Sequence, residues 1–506
     1  MRERLLLLMM LGAMALASVA QQPPISHLEI NNVFPTILGD GSCFVPQKNG
    51  TWYDEWQIYH DDCSTWEVPA GSGKQTIFQH ALWFGGLDAD DGLHLAAYRY
   101  GQGPNINGGQ DYWSGPLKTS DGSIDWMTSI KYHHIWNLTR AEIEQFVANH
   151  GNAGYQIPED ILTWPAHGEE GYAENLAPFV DVNGDGHYNP ADGDYPDIKG
   201  DQCLFFIFND AFKSHTESGG VPIKLEVHAM VYAFDAPNDE AMNNTVFVNY
   251  KFFNRSANDY HDTYLGLWTD WDLGYGWDDY VGCDVQRNSC FAYNGTAIDG
   301  DGQPWAYGDN PPVQVLTVLN GPDGLGMTGF MYHYNSDADN GDPRIAEHYY
   351  LYMKGCWKNG QHMLYGSNAY GIHETIWEGD EPVEINYDPV GPECNYMFPG
   401  DSDPDNIGTG GIAPNGGYNT NGKYWTEEEC FENYSDLNPE GEYNPFEPND
   451  RRGLASVGPF DFPAGSMKEL DYAMITVWKN NSQTAFERKG EFIDHVKTLF
   501  NNGFAK

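Results

Sequence analysis

Residues 224–231 read Lys224-Leu225-Glu226-Val227-His228-Ala229-Met230-Val231. Polar and apolar side chains alternate with a period of two, the signature of a β-strand with one face in a core and one in solvent. Val246, Val248 and Tyr250 repeat the pattern beyond the Pro237-Asn238-Asp239 turn and supply a neighbouring face. Working outward, strands are expected over 76–84, 93–100, 202–209, 223–234, 245–254 and 263–268, and later over 314–319, 348–354 and 470–478. Strand after strand at short spacing defines a mainly β chain. The expected architecture is an antiparallel β-sandwich or jelly-roll-like fold with long loops, an inserted calcium loop and a few short helices.

Two helices interrupt the pattern. Thr139-Arg140-Ala141-Glu142 is a capping box, followed by the apolar face of Ile143, Phe146 and Val147 and stopped at Gly151. Near the end, Phe492, Ile493, Val496, Leu499 and Phe500 keep helical spacing within 482–502. Residues 379–465, rich in Gly, Pro, Asn and Asp, read as long loops. The organisation expected is a signal peptide over 1–20, a β-rich region over 21–170, a calcium segment over 171–200 and a sandwich over 201–506.

The signal peptide rests on Arg2 and Arg4, the apolar run from Leu5 to Ala17, and the small-residue site Ser18-Val19-Ala20. The run is too short for a membrane span, and no later run of about 18 apolar residues follows. Export to the cell surface or beyond is therefore expected, with the periplasm as the alternative. The formal charge is −47, from 26 Lys and Arg against 73 Asp and Glu. Nucleic acid is excluded as a partner, because phosphate binding needs clustered cations. Eight cysteines in an exported chain favour disulfides. Sequence proximity suggests Cys43–Cys63, Cys283–Cys290 and Cys394–Cys430.

One stretch specifies a chemistry. Asp181-Val182-Asn183-Gly184-Asp185-Gly186-His187-Tyr188-Asn189-Pro190-Ala191-Asp192 matches a twelve-residue calcium loop. Calcium takes six to eight oxygens. Asp181, Asn183 and Asp185 occupy positions 1, 3 and 5, and Gly186 permits the turn at position 6. The His187 carbonyl, Asn189 and Asp192 follow at positions 7, 9 and 12, and Asp194 stands ready as an outer-shell carboxylate. A second, weaker cluster at Asp270, Asp272 and Asp279 offers another cation site, against the alternative of a solvated acidic turn.

Catalytic signatures are missing: there is no G-x-S-x-G, and His373-Glu374 lacks the second histidine of a zinc protease. Gly71-Ser72-Gly73-Lys74-Gln75 imitates a phosphate loop, but Val68 and Gln75 break its pattern. The expected role is structural or binding rather than enzymatic, with an extracellular glycan or a cell-surface protein as partner. Two alternatives stand beside it. One is an exported hydrolase of polysaccharide or protein, marked by two carboxylates in a Trp-lined cleft. The other is a glycan-binding adhesion module, marked by an exposed row of Trp or Tyr.

Several phrases together resemble one family. They include Ala81-Leu82-Trp83-Phe84-Gly85-Gly86-Leu87-Asp88, Ala177-Pro178-Phe179-Val180, Gly193-Asp194-Tyr195-Pro196, Lys199-Gly200-Asp201-Gln202 and Phe208-Asn209-Asp210. Asp279-Tyr280-Val281-Gly282-Cys283-Asp284, Met397-Phe398-Pro399-Gly400-Asp401 and Arg451-Arg452-Gly453-Leu454-Ala455-Ser456-Val457-Gly458-Pro459-Phe460 complete the set. The chain resembles large secreted proteins of Bacteroidetes-type bacteria, over roughly residues 70–500. Those proteins often end in a sorting domain for the type nine secretion system. The resemblance implies export and surface display, and names no activity. Since this sequence reaches Lys506 just after its last helical pattern, no sorting domain is expected in it.

Overall fold

The computed structural model describes residues 23–43, 66–100, 109–300, 302–364, 374–378, 381–385, 393–400, 402, 426–437 and 446–504. The signal peptide over 1–20 and Cys63 lie outside the described residues. Three short strands come first, β1 (Ile25–His27), β2 (Phe34–Leu38) and β3 (Trp66–Glu67), antiparallel in that order. Then follow β4 (Ile77–Leu87), β5 (Leu93–Ala96), β6 (Trp113–Ser114) and β7 (Trp136–Thr139). β8 (Phe179–Val180) and β9 (Tyr195–Pro196) bracket the 181–194 loop. The main run is β10 (Gln202–Asn209), β11 (Leu225–Ala233), β12 (Thr245–Asn254), β13 (Tyr260–Trp271), β14 (Asp279–Asp284), β15 (Ser289–Asn294), β16 (Val313–Asn320) and β17 (Gly329–His333). A detached hairpin, β18 (Glu374–Glu378) and β19 (Glu381–Ile385), precedes β20 (Arg451–Phe462) and β21 (Met467–Val477). The helices are α1 (Trp126–Lys131), α2 (Arg140–Asn149), α3 (Glu159–Leu162), α4 (Glu240–Asn243), α5 (Ala346–Met353), α6 (Glu427–Leu437) and α7 (Ala485–Asn501).

The chain is mainly β, built on two antiparallel sheets. The larger runs β14-β15-β16-β21-β12-β11-β10-β6, with β7 also on β10; the smaller runs β17-β20-β13-β4-β5. Strands from before residue 170 and after residue 201 share both sheets, so that stretch boundary is not a boundary in the sheets.

Period-two alternation assigns the two faces of the larger sheet to two cores. On β10, Leu204, Phe206 and Phe208 join the core facing the smaller sheet, while Cys203, Phe205 and Ile207 join a second core. Phe84 of β4 meets Phe252 of β12 with ring centroids 5.1 Å apart. His80 of β4 crosses the gap: its ring nitrogens lie 3.0 Å from Thr269 Oγ1 and 2.9 Å from Tyr472 Oη. The second core lies under helices, with Ile143 and Phe146 of α2 and Phe492, Ile493 and Val496 of α7 covering Phe205, Tyr232 and Ile475.

This corrects the reading of 224–231. All nine residues of β11 are buried, so the face carrying Glu226 and His228 is not in solvent. Helices and loops cover it, and the two polar groups bond each other at 2.8 Å. Two further expectations fail. Of the expected strand 348–354, residues 348–353 belong to a helix: the aromatic run of Tyr349, Tyr350 and Tyr352 has strand-like propensity, but packing decides, with Tyr349 set edge-on to Trp83 at 4.7 Å. Within 379–465, Arg451–Phe462 is no loop but a strand between β17 and β13. Its Gly453 can carry no side chain, because a Cβ there would fall 2.9 Å from Trp271 Nε1.

No disulfide is formed among the described residues. Cys283 and Cys290 are register partners on β14 and β15, yet the Cys283 thiol donates to the Met397 carbonyl at 3.3 Å. Cys394 and Cys430 are likewise not joined, and the Cys43–Cys63 expectation lies outside the described residues. No helix is long and apolar enough to cross a membrane among the described residues.

Candidate functional site

The 181–192 loop is closed by the β8–β9 pair, Phe179 opposite Pro196 and Val180 opposite Tyr195. Its short polar side chains fold back on its own backbone, as Asx residues do in tight turns. Asp181 accepts from Gly184 N and Gly186 N, both at 2.7 Å. The Gly186 amide, foremost among the loop donors, holds the Asp181 carboxyl below its ordinary value. Asn183 Oδ1 accepts from Asp185 N at 2.9 Å, and Asp185 Oδ1 from His187 N at 2.8 Å. Gly184 and Gly186 sit at φ 76° and 81°, left-handed conformations that strain any other residue.

Asp194 does something the sequence reading missed. It is fully buried, and its two oxygens accept from Val182 N at 2.8 Å and Asn189 N at 2.9 Å. It therefore clamps the ends of the loop together. Asn189 Nδ2 donates to Asp192 Oδ2 at 2.6 Å, and Asn183 Nδ2 to Asp185 Oδ2 at 3.0 Å. Tyr188 anchors the loop to the body, with its hydroxyl donating to the Ile161 carbonyl and its amide to His167 Nε2 at 3.0 Å. The donor set of Asp181, Asn183, Asp185, the His187 carbonyl, Asn189 and Asp192 is all oxygen, which suits a hard cation. Among the described residues, no three His, Cys, Asp or Glu side chains converge as a metal-ligand set.

The second cluster is organised by arginine and by burial. Asp270, near the end of β13, lies opposite Arg452 of β20. Its Oδ2 accepts from Tyr100 Oη at 2.5 Å, and its Oδ1 stands 3.7 Å from Arg452 Nε. Arg452 also bonds Tyr100 Oη at 2.7 Å and Asp450 at 2.7 Å. Asp279 starts β14 and accepts from Leu273 N at 3.0 Å. Asp272 lies between them against Gly276, where a Cβ would come 2.1 Å from its Oδ1. Desolvation pushes Asp270 up to about 8, against the pull of Arg452, and pushes Asp272 and Asp279 well up. An uncompensated buried carboxylate is costly, and at Asp270 Arg452 offsets part of that cost. These carboxyls are not a solvated acidic turn: Asp270 and Asp279 are buried. The signal available in sequence was the Arg451-Arg452 doublet, in a chain with few cations.

Two of the grooves among the described residues bear on function. One, of about 470 Å³, is lined by Trp136, Trp164, His133, His134 and His167 together with Glu159. Both indole N–H groups are spent on backbone, Trp136 on Thr163 O at 3.0 Å and Trp164 on Pro178 O at 2.9 Å. The other, of about 270 Å³, lies between the β14–β15 hairpin and α7.

No protein-family model matches the chain, and no curated protein matches it.

Proposed function

We propose that this is an exported, calcium-stabilised β protein with a structural or binding role at or beyond the cell envelope. Its phrases resemble those of large secreted Bacteroidetes-type proteins, which supports export. The carrying observation is the 181–192 loop: a six-position match to a calcium loop whose Asp181 carboxylate already accepts from Gly184 and Gly186. Asp181, Asn183, Asp185, the His187 carbonyl, Asn189 and Asp192 would hold the ion. Calcium supplies a bond to these oxygens that the unfolded chain lacks, so binding adds stability by mass action.

The test is metal content of the purified protein, with melting curves in calcium and in chelator. One bound calcium and a melting shift are expected, and Asp181→Ala or Asp185→Ala should lower melting in calcium but change little in chelator. Equal melting of variant and parent in calcium sinks the proposal. The 470 Å³ groove favours a second reading, glycan binding, because His167 on its wall is bonded to Tyr188 of the loop. Glycan binding that disappears in chelator supports it.

A further inference from the structure

The 270 Å³ groove is lined by Phe291 and Tyr293 of β15, Phe398, and Phe486 and Lys489 of α7. Phe291 and Phe486 meet edge to face at 5.6 Å, and Tyr293 and Phe486 at 5.0 Å. Lys489 Nζ sits against two of these rings, 3.4 Å from the Phe486 centroid and 4.7 Å from the Phe291 centroid. It donates to the Phe486 carbonyl at 3.2 Å. No carboxylate stands within ion-pair distance of it among the described residues.

The neighbouring charges are already committed. Arg287 bonds Asp284 at 2.8 Å and Asp494 through two nitrogens at 2.8 and 2.9 Å. Lys497 donates to the Arg287 carbonyl. Three cations thus face two carboxylates, both taken by Arg287, and among the described residues neither Lys489 nor Lys497 has an acid partner; of these two, Lys489 lines the groove. Ring faces offset only part of the hydration an ammonium loses. Desolvation accordingly lowers Lys489 to about 8. Two groove hydroxyls are engaged: Ser402 Oγ accepts from Val285 N at 3.0 Å, and Thr426 Oγ1 from Glu429 N at 3.2 Å.

We propose that this groove binds a small monocarboxylate with an aromatic or apolar body, its anion on Lys489 Nζ and its body between Phe291, Tyr293 and Phe486. Of the two cations lining the groove, Arg287 is paired with carboxylates and Lys489 is not, so one ammonium is left to match one negative charge. The volume is just under the range usual for ligand sites, which selects a small molecule. The inference does not rest on the calcium loop.

Phenylacetate is the probe, with phenylacetamide as its neutral counterpart, in saturation-transfer NMR on the full chain. Phenylacetate should bind, and phenylacetamide should bind at least about tenfold more weakly, the worth of one charge-assisted bond. Lys489→Met should abolish the preference for the anion and Lys489→Arg should keep it. Phenylacetate should also protect Lys489 of the parent protein from reductive methylation, read by peptide mass; this arm needs no variant to fold. Absence of phenylacetate binding, equal binding of acid and amide, or methylation of Lys489 unchanged by phenylacetate overturns the proposal.

Discussion

Replacing Glu226 with Gln tests the most consequential departure from a simple two-faced strand. Glu226 is wholly buried on the helix-covered face of β11. Its carboxylate accepts from His228 Nε2 at 2.8 Å, Arg255 Nη2 at 2.6 Å and Leu117 N at 2.6 Å. Burial alone would raise its pKa, but the bonds from His228 and Arg255 outweigh burial and pull it from 4.5 down to about 2. At about 1.4 kcal/mol per pKa unit, the ionised group contributes about 3 kcal/mol at neutral pH. Removing one partner of a buried ion pair costs about 3–5 kcal/mol in other proteins, an independent estimate of the same size. The sign follows from linkage: a depressed carboxyl pKa gives stability that is present above the unfolded value of 4.5 and is lost as pH falls through about 2. Urea unfolding followed by tryptophan fluorescence measures it. Glu226→Gln should cost about 3 kcal/mol at pH 7, and the gap to the parent should shrink by roughly half by pH 3. A gap below about 1 kcal/mol at pH 7, or one that stays constant from pH 6 to pH 3, would refute the reasoning.

Other outcomes follow from the same structure. His80, buried between the sheets, is lowered to about 3 by desolvation, so the unfolded chain takes up its proton first. Stability should therefore rise with pH between about 3 and 6.5, and His80→Gln should flatten that slope by one proton in an acid titration of unfolding. Trp268→Ala removes a fully buried indole that donates to His333 Nε2 at 3.0 Å, and should cost about 3–5 kcal/mol in the same urea assay. Asp194→Asn leaves one of the two clamped amides, Val182 N or Asn189 N, without its acceptor. It should cost about 1–3 kcal/mol and weaken calcium uptake in a competitive chelator titration. Unchanged uptake would mean the clamp does not shape the loop.

Strand positions were open to reading because side-chain alternation is local. Residues 202–209 and 245–254 are strands over the expected bounds. The capping box at Thr139 and Glu142 is local in the same way, and it caps α2. The 181–192 spacing is also local, and the proposal of a calcium ion and its candidate oxygens rests on it without any fold. Nothing local says what lies over the second face of a strand. Glu226 and His228 read as solvent-facing because the helices and loops that bury them, and Arg255 that bonds Glu226, come from elsewhere in the chain. Long-range pairing likewise decided that Arg452 meets Asp270 across β20 and β13, that the aromatic run at 349–352 coils into a helix against Trp83, and that opposed cysteines stay apart. Asp194 shows the division within one loop: its carboxylate was visible in sequence, but its work on Val182 N and Asn189 N appears only once β8 and β9 bring both ends of the loop to it.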